Sequence, residues 1–304
     1  MNVFVTGGTG FVGRNVIRAL KAAHHMVYAW VRHGSEVKLP FLDGVEIVFG
    51  DSLEPQEMRI GMEKCDAVIN LVGIIREYPR KGITFDQTHY QSTLHTVNIA
   101  KKCGVKRFIQ MSANGASEHG VSVYQTTKRR AERIVEESGL DWTIFRPSVI
   151  FGDPEGLFEF STELAGIIRS FIIIPIFDGG KLEMDPVWVG DVADCFVKAL
   201  NTPISSGKTF HLCGGRPIKF KQIVETIGKA IGKKRIVTMP IPFGLILPVA
   251  SVMERFSFFP VTSDQLLMLK QGNICKEQEF KAIFGIQPKQ FISENLDYLG
   301  LDGY

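Results

Sequence analysis

Asn2-Val3-Phe4-Val5-Thr6-Gly7-Gly8-Thr9-Gly10-Phe11-Val12-Gly13 opens the chain. The short apolar run reads as a buried strand, and Val12–Ala23 beyond it carries helical spacing. Gly8, Gly10 and Gly13 satisfy G-x-G-x-x-G, and Gly7 offers a second register. A tight turn needs glycine, a pyrophosphate needs backbone within hydrogen-bonding distance, and the helix must pack closely on the strand. The helix N-terminus then presents free N–H groups and a partial positive charge to phosphates. Between a strand and a helix, this pattern marks a dinucleotide site.

Working outward, Met26–Val31, Val45–Phe49, Ala67–Leu71, Arg107–Met111 and Trp142–Phe145 also read as buried strands. Glu54–Met62, Gln87–Cys103 and Tyr124–Glu137 carry helical spacing between them, and Thr209–Leu212 is a later strand for the sheet edge. Alternating strands and helices imply an α/β fold, a Rossmann-type doubly wound parallel sheet. We place this domain at residues 1–150, with 187–215 returning to it. Residues 151–186 and 216–304, where Phe220–Ile231 and Ser263–Lys270 read as helices, form a smaller lobe expected to hold a substrate or partner.

The second strand ends in Trp30-Val31-Arg32-His33. An NAD site usually places an acid there for the ribose 2′-hydroxyl, whereas a guanidinium favours a 2′-phosphate. NADP is therefore expected, with NAD as the alternative. Asp51, after the third strand, is placed for the adenine amino group or is simply a turn aspartate.

Tyr124 and Lys128 stand four apart at the start of a helix, on one face of it. Free tyrosine titrates near about 10, and a nearby ammonium favours its phenolate, making it a usable acid or base. Together with Thr6–Gly13, Asp51, Asn70–Gly73 and Arg146–Gly152, this pair resembles the short-chain dehydrogenase/reductase superfamily, in its extended and atypical, epimerase/dehydratase-like branches. Asp185–Asp191 and Pro260–Gln265 are similar to one atypical branch, which includes the nucleotide-binding accessory subunit of respiratory complex I and proteins linked to quinone biosynthesis. The resemblance implies cofactor roles for Gly7, Gly10, Phe11, Val12, Gly13, Arg32, Asp51, Leu71, Gly73, Lys128 and Pro147, and a catalytic role for Tyr124 with Lys128. Ser112 is the available counterpart of the family's substrate-orienting hydroxyl, although Ala113 stands where that hydroxyl is often found. The family's proton-relay asparagine has no clear counterpart, and His89 falls near its place.

Composition narrows the rest. With Lys+Arg 35 against Asp+Glu 32, the net charge of +3 gives no case for a nucleic-acid partner. His24, His25, His95, His119 and His211 show no metal-ligand spacing, so no metal is assigned. The five cysteines form no C-x-x-C pair and read as reduced packing thiols. With no basic leader ahead of the glycine loop, a cytoplasmic protein is expected. Thr238–Met253 is uncharged but broken by prolines, so it is not a clean membrane span. With Lys233-Lys234-Arg235 and Arg255, residues 240–260 carry an alternative expectation of peripheral contact at the inner face of a membrane or with a membrane complex.

Phe158, Phe160, Phe171–Ile173, Phe177, Trp188, Phe243 and Leu245–Leu247 read as core or as the lining for an apolar substrate such as a quinone. Three functions stay open: an NADP(H)-dependent oxidoreductase acting on an apolar carbonyl or quinone-like substrate; a non-catalytic NADP(H)-binding accessory or assembly protein; and a sugar-nucleotide epimerase or dehydratase, which the apolar lobe disfavours.

Overall fold

The computed structural model describes residues 1–39, 44–51, 57–254 and 261–300. Two units emerge: Met1–Pro147 with Val189–Leu212 and Gln278–Gln287, and Ser148–Trp188 with Cys213–Glu277 and Pro288–Tyr304.

The chain begins β1 (Asn2–Thr6), α1 (Phe11–Ala22), β2 (Met26–Val31), β3 (Val45–Phe49), α2 (Met58–Met62) and β4 (Ala67–Asn70). It continues through a π-helical turn (Asp86–Gln91), α3 (Ser92–Lys102), β5 (Arg107–Met111), α4 (Val123–Glu136) and β6 (Asp141–Pro147). Residues 54–56 of the helix expected over Glu54–Met62 lie outside the described residues. Beyond these come β7 (Ile150–Phe151), α5 (Phe160–Ser170), β8 (Ile173–Phe177), β9 (Glu183–Met184), β10 (Val187–Trp188), α6 (Val189–Ala199) and β11 (Lys208–Leu212). The chain then forms β12 (Ile218–Lys219), α7 (Phe220–Ala230), β13 (Val237–Ile241), α8 (Phe243–Met253), α9 (Ser263–Gln271) and α10 (Phe280–Phe284).

In the first unit, seven strands form one sheet in the order β11-β6-β5-β4-β1-β2-β3. Every pairing in it is parallel. A parallel sheet covered by helices on both faces buries its strands, which is why they read as apolar runs. β4 is buried throughout, and α1 turns Gly13, Val16, Ile17 and Leu20 inward at helical spacing. Order reverses between β1 and β4, the crevice where α/β sheets bind nucleotides. Sequence reading assigned all of 216–304 to the smaller lobe, whereas Gln278–Gln287 belongs to the first unit. There Phe284 of α10 packs its ring 5.6 Å from Phe145 and 5.3 Å from Phe210, long-range apolar burial that no local pattern announces.

The second unit has its own core, in which α5 and α7 contribute Leu164, Ile168, Ile223 and Ile227 beside Phe151 and Phe291. Cys213 and Cys275 are joined there as a disulfide, with Cα atoms 6.2 Å apart. This corrects the expectation of reduced thiols throughout: the pair lies 62 residues apart in sequence and meets only through folding. Cys65, Cys103 and Cys195 are free.

Candidate dinucleotide site

β1 delivers the glycine loop to the switch point. Gly7 has φ +70°, and a Cβ there would stand 2.9 Å from the backbone carbon of Leu71. A Cβ at Gly13 would stand 2.2 Å from the Gly7 carbonyl oxygen, so only glycine lets α1 seat so closely on the loop. The Gly10 N–H donates to the Gly7 carbonyl at 3.1 Å, closing the turn. Gly10 caps α1 with no side-chain hydrogen bond, and no acid stands in its first turn. The leading N–H groups of α1, at Phe11, Val12 and Gly13, have no partners within their own helix. A bare backbone, a helix dipole and no competing carboxylate suit a pyrophosphate.

Arg32 and His33 are exposed at the end of β2, and the His33 ring stacks on Phe49 with centroids 4.6 Å apart. Asp51 is exposed just past β3. Behind the strand tips lies a buried polar chain. The Thr6 hydroxyl donates to the Asn70 side-chain oxygen at 2.5 Å, and the Asn70 amide donates to Gln110 at 2.8 Å and Thr93 at 3.2 Å. This network ties β1, β4, β5 and α3 together. A buried polar group without such partners would be costly.

Ser122 starts α4, its hydroxyl accepting the Gln125 N–H at 3.2 Å. The helix carries Tyr124 and Lys128 one turn apart, with the Lys128 ammonium 6.0 Å from the centre of the Tyr124 ring. Lys128 is buried, and a Cβ at Gly73 would fall 2.8 Å from its Nζ. Burial pushes Lys128 down to about 8, against the opposing pull of Glu132. Burial also pushes the Tyr124 hydroxyl up to about 12. At neutral pH Tyr124 is therefore a phenol, able to give a proton but not to take one. The sequence expectation that the ammonium would favour a phenolate is corrected, because desolvation opposes the charged form.

His89, near the place of the family's missing asparagine in the sequence, acquires a definite setting in the fold. Here the π-helical turn sets its ring edge-on to Tyr124, centroids 5.2 Å apart at 90°. Nδ1 lies 3.0 Å from the Thr127 hydroxyl and Nε2 lies 3.0 Å from the Ile74 carbonyl oxygen. Burial first, then the Lys128 charge, holds this imidazole well below its ordinary range, so it is neutral. The signal that marks it is a single π-turn in an otherwise α-helical stretch, a feature frequent at functional sites.

Glu132 anchors the same helix. Fully buried, it accepts two hydrogen bonds from the Arg146 guanidinium of β6, at 2.7 and 2.6 Å, and one from Arg129 at 3.1 Å. Ser112, after β5, is buried, and its hydroxyl has no hydrogen-bond partner among the described residues. Ala113 beside it is also buried. Asn114 donates its N–H to the Pro147 carbonyl at 2.8 Å, fixing the end of β6.

Residues 7–203 match the family described as NAD(P)H-binding. The chain belongs to that family. It is 25% identical to the mitochondrial NADH-ubiquinone oxidoreductase 40 kDa subunit of Neurospora crassa, over 97% of this chain and 78% of that protein. It is 26% identical to the photosystem II assembly factor Ycf39 of Synechocystis, over 95% and 87% respectively. Among solved structures, the UDP-glucose 4-epimerase of Thermotoga maritima superimposes with a TM-score of 0.75 at 20% identity, covering 99% of this chain and 98% of that one. The last is a likeness of fold. This member of the NAD(P)H-binding family thus keeps the glycine loop and a Tyr-x-x-x-Lys helix on one sheet.

Proposed function

We propose that the chain is an NADP(H)-dependent oxidoreductase that reduces an apolar carbonyl or quinone-like substrate. The observation that carries this reading is Tyr124, protonated by burial, one turn from a buried Lys128 that packs on Gly73 in the loop after β4. Gly7, Gly10, Phe11, Val12 and Gly13 would hold the pyrophosphate, Arg32 with His33 the 2′-phosphate, and Asp51 the adenine. Leu71, Gly73 and Lys128 would flank the nicotinamide ribose, and Pro147 its carboxamide. When bound, the dinucleotide supplies a hydride. Tyr124 gives its proton to the substrate oxygen, Lys128 orients the ribose and steadies the phenol's charge as the proton leaves, and the unpartnered Ser112 hydroxyl orients that oxygen. His89 is a positioning residue that fixes the Tyr124 ring.

A second reading, a permanently bound NADP(H) in an accessory or assembly protein, draws on the likeness to a respiratory-complex subunit along nearly the whole chain and on Ala113 beside Ser112. Fluorescence titration with NADPH and NADH, on wild type and Tyr124→Phe, separates the two when combined with NADPH oxidation by a short-chain quinone. The reductase reading expects tighter NADPH than NADH binding, equal NADPH affinity in both proteins, and turnover in wild type alone. Tight binding without consumption in either protein overturns it in favour of the accessory role.

A further inference from the structure

The second unit wears much of its apolar surface on two paired stretches. β8 and β13 run parallel, with Ile173 opposite Val237 and Pro175 opposite Met239. Ile173, Val237 and Met239 are exposed, as are Phe171 and Ile172 just before β8; Ile172 is 87% exposed. β13 passes through Pro242 directly into α8. Phe243 and Ala250 of α8 pack inward with Leu266, while Leu245, Val249 and Val252 face out, Leu245 at 68% exposure. Their spacing places these three on one face of the helix. α8 contains no charged residue, and the hydroxyl of Ser251, its one polar side chain, donates back to the Pro248 carbonyl. Such a helix belongs in a protein core or in lipid, and half of this one has no core. At 11 residues it is too short to cross a bilayer, which takes about 20. Among the described residues no helix is long and apolar enough to do so.

Charge decides what covers this face. Lys233, Lys234 and Arg235 stand one residue ahead of β13, and no Asp or Glu follows them in sequence until Glu254. The Lys233 ammonium donates to the backbone carbonyls of Ile168 and Phe171, which fixes the basic triplet at the Phe171 end of the apolar stretch. Lys234 and Arg235 are exposed. Along β13 and α8, apolar side chains preceded by cations with no interspersed acid match an anionic headgroup layer over hydrocarbon; the exposed Asp178 stands past the end of β8, away from the basic triplet at its start.

We infer that the face formed by 171–173, β13 and the outer side of α8 docks on an anionic phospholipid bilayer, lying in its interface without spanning it. The inference stands independently of any turnover at the dinucleotide site.

Sedimentation of the full chain with phosphatidylcholine vesicles, with and without about 30% phosphatidylglycerol, tests this reading. Wild type is expected to pellet with the anionic vesicles and to be released at about 1 M salt, where screening acts within about 3 Å. Lys234→Glu/Arg235→Glu should lower the partition coefficient at least about 25-fold, given about fivefold per lost charge. Leu245→Glu/Val249→Glu should lower it comparably. Both pairs sit at exposed positions, so unchanged circular dichroism and NADPH affinity show that each variant is folded. No binding of wild type to anionic vesicles overturns the inference, as does binding that neither pair reduces. A dimer in sedimentation velocity, abolished by Leu245→Glu/Val249→Glu with no vesicle binding, overturns it in favour of a second copy of this chain.

Discussion

Lys128 fills the space that a side chain at Gly73 would take, its Nζ 2.8 Å and its Cε 3.6 Å from where a Cβ would stand. The glycine after β4 and the lysine on α4, 55 positions later in the chain, thus share one small volume. Two glycines of the site should therefore fail in different ways.

Gly73→Ala meets the far end of a flexible side chain, which can move. We expect less than about 1 kcal/mol of lost stability, typical of a tolerated site, but at least tenfold weaker NADPH binding, about 1.4 kcal/mol, as Lys128 is displaced. Gly13→Ala meets the Gly7 carbonyl at 2.2 Å, backbone that cannot yield locally. It should cost about 1–3 kcal/mol or more, as overpacking does. Urea unfolding and fluorescence titration of both variants check this; equal stability losses would contradict the geometry.

Lys128 titrates near 8 in the folded chain, below its ordinary 10.5. Between those values the unfolded chain binds the extra proton, so stability rises with pH across that window. Below about 8 both states carry the charge and the full penalty applies, on the order of 3 kcal/mol. Lys128→Met should be more stable than wild type at pH 7, and the difference should shrink as pH climbs above 8. Urea titrations at pH 7 and pH 9 read it, both below the value near about 10 at which tyrosine ionises in the unfolded chain. A pH-independent difference would mean that Lys128 is not desolvated.

Arg146→Met strips Glu132 of its two-pronged partner on β6 and leaves a buried carboxylate with Arg129 alone. Breaking a buried pair from one side typically costs about 3–5 kcal/mol, whereas replacing both partners by apolar groups is often close to neutral. Glu132→Leu/Arg146→Met should therefore recover much of the loss. Chemical denaturation of the singles and the double gives the coupling directly. Additive losses would show that the pair does not hold α4 to β6.

Cys213–Cys275 closes a loop of 62 residues. Constraining a loop of that size in the unfolded chain is worth about 4 kcal/mol on the chain-entropy account. Cys275→Ser, or reduction, should lower the melting temperature of the transition that includes the second unit. Thiol counting under denaturing, non-reducing conditions should find three free cysteines, matching Cys65, Cys103 and Cys195. Five free thiols would remove the bond.

Features that a few neighbouring residues encode were legible before folding was considered. The turn at Gly7–Gly13, the strand-and-helix alternation, and Tyr124 and Lys128 on one face of α4 all follow from backbone sterics and the periodicity of burial. The helix expected as one piece over Gln87–Cys103 shows where such patterns run out, since a single i→i+5 turn shifts the apolar spacing by one residue over too short a stretch to be read. That turn aims His89 at Tyr124. Tertiary structure alone decided that Gly73 lies under Lys128, that Arg146 grips Glu132, and that Cys213 finds Cys275. It also turned Leu245, which reads as core or lining in the sequence, outward together with Val249 and Val252. Which distant side chains meet, and which apolar ones stay in water, depends on packing summed over the whole chain. The same packing raises the Tyr124 hydroxyl, because desolvation there disfavours the charged phenolate.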